Sequence, residues 1–137
     1  MTPRYLLDTN AIIALRRRRP RSVVDRLAAL RIGEAVMSPV TYGELCFGAE
    51  KSVDRDNAFA VLARLVAVVP IELAEPEETG RRYGALRATL GRQGQLIGNN
   101  DVWIAAHALA SSLTLVTGNV REFSRVPGLV IEDWTTS

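Results

Sequence analysis

The chain alternates short apolar runs with longer segments in which apolar residues recur every third or fourth position. Short apolar runs predict buried strands, and the longer periodic segments predict amphipathic helices. Runs of the strand type occupy residues 5–7, 35–37, 68–71, 113–116 and 129–131. Because helical segments separate them, we predict an α/β fold with a mainly parallel central sheet of about five short strands.

Capping residues and prolines predict where the helices begin. Ser38 followed by Pro39 is typical of a helix start, because proline has no N–H for the first turn to leave unpaired. The helix that begins there carries Glu44. The other predicted helices are one from about Thr9 (capped by Thr9 or Asn10), 22–30, 55–66, one from 75, and a buried helix from near Asp101 (capped by Asn99 or Asn100).

Length and composition fit one globular domain spanning residues 1–137. No apolar run approaches the roughly 20 residues that cross a bilayer, so we expect no membrane association. The apolar stretch near the N-terminus is too short for a secretory signal and Asp8 interrupts it, which makes the cytoplasm the expected location. Cys46 is the only cysteine, which excludes an internal disulfide and a cysteine-rich zinc site.

Positive charge is concentrated at the start of the chain. Residues 1–31 carry eight arginines against two acids, whereas the remaining residues carry nine bases against thirteen acids. A guanidinium binds phosphate through two hydrogen bonds, so concentrated arginine suits a phosphate backbone. A solvated helix end is the alternative interpretation. Four of these arginines are consecutive: Arg16, Arg17, Arg18 and Arg19.

Polar side chains follow the predicted strands or open the helices after them. Asp8 comes directly after the first strand and Asn119 shortly after the fourth, so both lie at the edge of the sheet where such folds bind ligands. Asp101 opens the buried helix, and Glu44 lies a turn or so into its own helix. Clustered carboxylates repel one another unless a cation separates them, and oxygen ligands of this kind select Mg²⁺ or Mn²⁺. Helix-start residues and a solvated helix face are the alternatives.

These residues lie in segments that resemble the motifs of PIN-domain ribonucleases, in the same order along nearly the whole chain. The segments are 6–10 (LLDTN), 38–45 (SPVTYGEL), 100–109 (NDVWIAAHAL) and 115–119 (LVTGN), continued by 121–123 (REF), 126–129 (VPGL) and 132–134 (EDW). Within that family the chain looks most similar to the VapC toxins of bacterial toxin–antitoxin pairs, particularly over 47–52 (FGAEKS) and 121–123. The resemblance implies a three-layer sandwich of the PIN-domain type.

The resemblance also implies a Mg²⁺-dependent endoribonuclease toxin that cleaves structured RNA such as tRNA or rRNA. A metal-activated water would attack the phosphodiester in line. Asp8 and Asp101 would be the main metal ligands, and Glu44 would ligate the metal or orient the water. A homodimer and a cognate VapB-like antitoxin are further implications. The arginine run is then expected to contact either the RNA or an acidic segment of the antitoxin.

One position departs from the family pattern. Many PIN domains carry a fourth acid where this chain has Asn119, whose side chain adds no charge. We therefore expect one well-held cation, with Asn119 either orienting a water or shaping the turn, and with Glu122 as a substitute for the missing acid. A module that binds RNA or the antitoxin without cleaving RNA is the alternative function. The supporting positions around the site are Thr9, Asn10 and Thr117.

Other candidates for chemistry are weaker. A ribonuclease without a metal usually needs two acid–base groups, and His107 is the only histidine. We predict that His107 is a packed or half-exposed structural residue and that Cys46 belongs to the core. Trp103 is predicted to pack within its buried helix, whereas the sequence leaves Trp134 open between core and surface.

Overall fold

The computed structural model describes residues 2–136. The elements in this range are β1 (Tyr5–Leu7), α1 (Thr9–Arg17), α2 (Arg21–Ala28), β2 (Ala35–Val36), α3 (Pro39–Glu50), α4 (Arg55–Val68), α5 (Pro76–Arg92), α6 (Asn99–Ala110), β3 (Thr114–Val116), α7 (Val120–Phe123) and β4 (Ile131–Glu132). Within residues 2–136, none of the helices combines the length and apolarity needed to cross a membrane.

The strands form one parallel sheet in the order β2-β1-β3-β4. After β1, the chain places β2 on one side of it and then returns to place β3 and β4 on the other side. This reversal lies between β1 and β3, whose register pairs Leu7 with Val116. In open α/β sheets, ligands bind outside the carboxyl ends of the strands at such a reversal. The topology thus fixes where the site lies.

Helices cover both faces of the sheet. Successive residues of a strand point to opposite faces. Accordingly, Tyr5 and Leu7 of β1 join one core with residues of α1 to α4, while Leu6 joins a second core with residues of α5, α6 and α7. A parallel sheet needs this cover on both faces. The structure confirms the three-layer α/β sandwich that the sequence predicts.

The helices begin close to the predicted positions, but two of the predicted capping residues differ from those in the structure. Ser38 caps α3 as predicted. Asp8 caps α1, because its Oδ1 accepts a hydrogen bond from the backbone N–H of Ala11, so the two residues predicted as the cap lie inside the helix. Gly98 precedes α6 without a side-chain cap, and both asparagines predicted for that role belong to the first turn. These cap predictions are wrong.

Two of the predicted strands differ in the structure. Val68 is the last residue of α4, which leaves only Ile71 to pair, through a single parallel bridge with Met37. The last strand begins at Ile131, because a turn with Gly128 at φ 78° precedes it. A four-stranded sheet with one extra bridge agrees with the prediction of about five short strands.

Three side chains that were candidates for chemistry have clear places in the fold. His107 is buried with its Nε2 2.7 Å from Glu72 Oε1, which confirms a structural role. Trp134 is buried in the first core. The prediction for Trp103 is wrong, because its ring is 37% exposed and stacks on Tyr83 at the seam between α5 and α6, with 3.9 Å between ring centroids.

Candidate active site

The carboxylate of Asp8 is fixed at the carboxyl end of β1. Its side chain is buried, and its Oδ1 accepts a hydrogen bond of 2.8 Å from the backbone N–H of Ala11. Its Oδ2 accepts a hydrogen bond of 2.5 Å from the hydroxyl of Thr117. Burial raises the pKa of Asp8 above its ordinary value, and both hydrogen bonds oppose that rise. Asp8 is therefore a helix cap and a site acid at once.

Thr117 connects the ends of the two central strands. Its hydroxyl donates to Asp8 and accepts a hydrogen bond of 2.9 Å from the backbone N–H of Asn119. Because Thr117 is itself buried after β3, the orientation of Asp8 depends on the pairing of β1 with β3. This contact supports the predicted positioning role of Thr117.

Glu44 reaches the same edge of the sheet from α3. Its side chain is exposed, and its Oε1 accepts a hydrogen bond of 2.6 Å from the hydroxyl of Thr9. The same hydroxyl lies 3.4 Å from that of Thr41, which is fully buried in α3 three residues before Glu44. Sequence reasoning did not single out Thr41. The available signal was its position three residues before Glu44 in segment 38–45, which places both residues on one side of the predicted helix.

Asp101 lies in the first turn of α6, where its carboxylate folds back toward Gly98. Its surroundings raise its pKa to about 6, first through desolvation and then through repulsion by three other carboxylates. The repelling groups are, from the strongest, Asp8, Glu122 and Glu44. The structure therefore brings four acids into one electrostatic field at the reversal of the sheet.

Asn119 and Glu122 form a pair on the β3 side of the cleft. The side-chain amide of Asn119 donates a hydrogen bond of 3.1 Å to Glu122 Oε2. Asn119 also begins the turn into α7, since its backbone N–H is bound by Thr117. Glu122 is the residue of this pair that acts on the pKa of Asp101. These contacts support Glu122 as the fourth carboxylate, with Asn119 orienting it.

The acids face one another without converging on a common point. Among residues 2–136, no three His, Cys, Asp or Glu side chains are placed to hold one metal ion. Threonine hydroxyls bind Asp8 and Glu44. Both of these acids, together with Glu122, repel Asp101. The donors are nevertheless carboxylate oxygens whose repulsion a divalent cation would relieve, so their chemistry fits Mg²⁺ or Mn²⁺.

The other predicted residues differ in where they lie. Asn10 has an exposed side chain, and its backbone N–H helps to lower the pKa of Asp8. Arg16 lines two neighbouring grooves and Arg18 lines one of them. Arg17 and Arg19 are exposed and line neither groove. The arginine run is therefore divided by the structure into members with different surroundings.

Two grooves meet beside α1. The first, here called the apolar groove, has a volume of about 520 Å³ and lies between α1, α2 and α4. The second, here called the cleft groove, has a volume of about 530 Å³ and begins at Thr9 and Glu44. Arg16 and Val61 line both, so the two grooves are adjacent. Four guanidinium groups line the apolar groove: Arg16, Arg18, Arg31 and Arg64.

Comparison with known proteins agrees with this geometry. The model of the PIN domain matches residues 5–129. Ribonuclease VapC1 of Haemophilus influenzae (strain R2866) is 41% identical over 96% of this chain and 98% of its own length. The tRNA(fMet)-specific endonuclease VapC of Shigella flexneri is 39% identical over the same shares of the two chains.

A solved structure supports the same assignment. The structure of VapBC-1 from nontypeable Haemophilus influenzae matches with a TM-score of 0.88 and 41% identity, covering 96% of this chain and 98% of that chain. The matched PIN domain contains the four clustered acids. The chain therefore belongs to the PIN-domain family and, within it, to the VapC ribonucleases.

Proposed function

We propose that the protein is an endoribonuclease toxin that hydrolyses phosphodiester bonds of structured RNA with the help of Mg²⁺ or Mn²⁺. The observation that carries this proposal is the grouping of four carboxylates near the sheet reversal, where repulsion and desolvation raise the pKa of Asp101 to about 6. Like charges held together at a cost in stability are typical of functional sites. Membership in the VapC ribonucleases supports the same reaction class.

Each site residue has a distinct part in this proposal. Asp8, Glu44 and Asp101 would hold the cation, which when bound supplies an activated water and neutralises charge on the phosphoryl oxygens. Thr117 fixes the carboxylate of Asp8, and Thr9 fixes that of Glu44. Glu44 also lines the cleft groove, through which an RNA strand could approach the acids.

We propose a tRNA or rRNA as the substrate, since the Shigella flexneri relative is named for tRNA(fMet). With such a substrate, the cytoplasm is the proposed site of activity. Proteins recognise folded RNA mainly through its shape and its unpaired segments, so the grooves beside the acids would select it. Attack by water would leave a 5′-phosphate and a 3′-hydroxyl on the products.

A nuclease assay on protein freed of any antitoxin tests this proposal. Wild-type protein should cleave tRNA with Mg²⁺ and stop in EDTA. Asp8→Asn and Asp101→Asn should each lower cleavage by about two orders of magnitude or more while the circular dichroism stays native. Asp56→Asn is the matched control, because its side chain is 97% exposed on α4. Full activity in EDTA would contradict the metal-dependent mechanism. RNA binding without cleavage would support the alternative, a degenerate RNA-binding module.

The proposed protein partner is a VapB-like antitoxin that docks in the apolar groove. Aliphatic side chains form the floor of this groove and arginines line it, which fits an amphipathic helix with acidic flanks. A segment that continued from there into the cleft groove would bring a basic side chain to the acids. The aliphatic floor includes Leu15, Leu27, Leu30, Leu65 and Val68.

Co-purification with the antitoxin tests this docking site. Ile32 lines the apolar groove and is 65% exposed, so Ile32→Asp should weaken capture without unfolding the protein. Val53→Asp is the matched control, since Val53 is fully exposed and lies outside the groove. Equal capture by both variants would place the antitoxin elsewhere.

A homodimer is the proposed oligomeric state, and sedimentation of the free protein tests it.

A further inference from the structure

Two stripes of residues at helical spacing line the cleft groove. Thr9, Ile13 and Arg16 line it from α1, where the spacing of four and three residues places them on one side of the helix. Glu44 and Gly48 line it from α3 at a spacing of four. The stripe on α1 extends about 10 Å along the helix axis from Thr9 to Arg16. The groove therefore contains one site acid, Glu44, and a guanidinium, that of Arg16.

Small side chains keep this groove open. Its wall between Glu44 and Arg16 includes Gly48, Ala49, Ser52 and Ala58. A Cβ added at Gly48 would meet no other atom within 4 Å, so the space beside α3 is free. Glycine within a helix costs about 1 kcal/mol relative to alanine, and packing inside the chain does not require it at this position. An extended chain of nucleotides can therefore approach the backbone of α3.

Arg16 is available for an external partner. Its side chain is exposed, and the ion pairs found within residues 2–136 involve other arginines. Arg17 is equally exposed and lies outside both grooves. A guanidinium about two helical turns from Thr9, in the groove that Glu44 also lines, is suited to a backbone phosphate near the scissile bond.

We propose that the cleft groove is the path of the RNA strand, with Arg16 binding a backbone phosphate and Gly48 providing the space for the strand. This inference rests on the proposed ribonuclease function and assigns the substrate path of that same site. It divides the arginine run, because Arg16 contacts the RNA and Arg17 does not. The proposed antitoxin segment that leaves the apolar groove toward the acids would occupy the same path and so block the RNA.

Two glycines of α3 provide the first test. Gly48→Leu fills the cleft groove, whereas Gly43→Leu adds the same side chain at an open position of α3 that does not line it. Both variants should fold at least as stably as wild type, because leucine is the better helix former. With in vitro transcribed initiator tRNA and Mg²⁺, Gly48→Leu should lower kcat/KM by about tenfold or more, a loss of about 1.4 kcal/mol in transition-state stabilisation. Gly43→Leu should cleave as wild type does.

Two arginines provide the second test. Arg16→Gln should raise KM several-fold, leave kcat nearly unchanged and lower the salt slope of RNA binding by about 0.7. Arg17→Gln should match wild type in all three measurements. Binding is measured with labelled tRNA and the cleavage-deficient Asp8→Asn protein, so that the RNA stays intact.

The outcomes separate this inference from the proposed function. Wild-type protein without Mg²⁺-dependent cleavage would contradict the proposed function itself. If wild-type protein cleaves the RNA but Gly48→Leu and Arg16→Gln behave like their control variants, the strand path alone is overturned. Weakened antitoxin capture in Gly48→Leu with unchanged cleavage would also overturn it, and would assign the groove to the antitoxin only.

Discussion

Replacing Asp101 by asparagine should stabilise the metal-free protein while it abolishes cleavage. The pKa of Asp101 rises from 3.8 to about 6 on folding, because the folded state desolvates the carboxylate and surrounds it with Asp8, Glu122 and Glu44. Its contribution to stability is therefore fully present below pH 3.8 and is lost as the pH rises through 6. Asparagine has nearly the same shape and carries no charge, so it avoids both the desolvation and the repulsion.

The size of the effect follows from this shift. About two pKa units correspond to about 3 kcal/mol at 1.36 kcal/mol per unit. Asp101 is only partly buried, so solvent screens the repulsion, and we expect about half of that value, about 1.5 kcal/mol. In a chain of 137 residues this corresponds to an increase of about 5 °C in Tm at pH 8.

Thermal unfolding in EDTA at several pH values measures the effect. Asp101→Asn should unfold at higher temperature than wild type at pH 8, and the difference should shrink below pH 6 and nearly vanish near pH 4. Asp56→Asn, at an exposed position of α4, should differ little from wild type at either end of this range. Excess Mg²⁺ should then stabilise the wild type and leave Asp101→Asn nearly unchanged.

Two results would refute this reasoning. A difference in Tm between Asp101→Asn and wild type that does not depend on pH would show that repulsion among the acids is not its cause. A variant less stable than wild type at pH 8 would show that the carboxylate of Asp101 forms favourable contacts that outweigh the repulsion. Either result would remove the electrostatic basis for a cation at this position.

Three further outcomes are expected at the neighbouring positions. Thr117→Val should lower the free energy of unfolding at neutral pH by about 1–3 kcal/mol in urea titrations, because the buried carboxylate of Asp8 loses a donor, and unchanged stability would contradict that bond. Asn119→Asp should tighten Mg²⁺ binding by calorimetry and destabilise the metal-free protein, since it adds a carboxylate beside Glu122; affinity and cleavage both unchanged would place Asn119 outside the site. Mg²⁺ at a hundred times its Kd should raise the stability of wild type by about 2.7 kcal/mol, and a similar gain in Asp8→Asn would argue against Asp8 as a ligand.

The structure also bears on the departure from the family pattern at Asn119. Its amide donates to Glu122, whose carboxylate raises the pKa of Asp101. A negative charge is thus supplied three residues later along the chain, in the first turn of α7. Asn119 in turn is held by Thr117 through its backbone N–H. These contacts favour an acid displaced along the chain over a site that lost its fourth charge.

Local sequence determined the element types and the place of the main acids. The position of Asp8 after an apolar run and before a periodic segment predicts a strand end and a helix start, and both follow from hydrogen bonding within a few residues. The same holds for Ser38 and Pro39 at the start of α3. Parallel strands then place Asp8 and Thr117 at one edge of the sheet, so the site could be predicted from the order of the elements.

Tertiary structure decided what depends on contacts between distant residues. The hydroxyl of Thr117 meets Asp8 across 109 positions of sequence, and the pKa of Asp101 reflects carboxylates from three other elements. Packing also left Trp103 at the surface. It extended α4 to Val68, which the sequence predicted as the first residue of a strand. Periodicity tells which side of a helix is apolar, but the burial of a given side chain depends on which neighbour lies against it. The grooves beside α1 arise for the same reason, since their walls come from three helices whose relative placement no local pattern encodes.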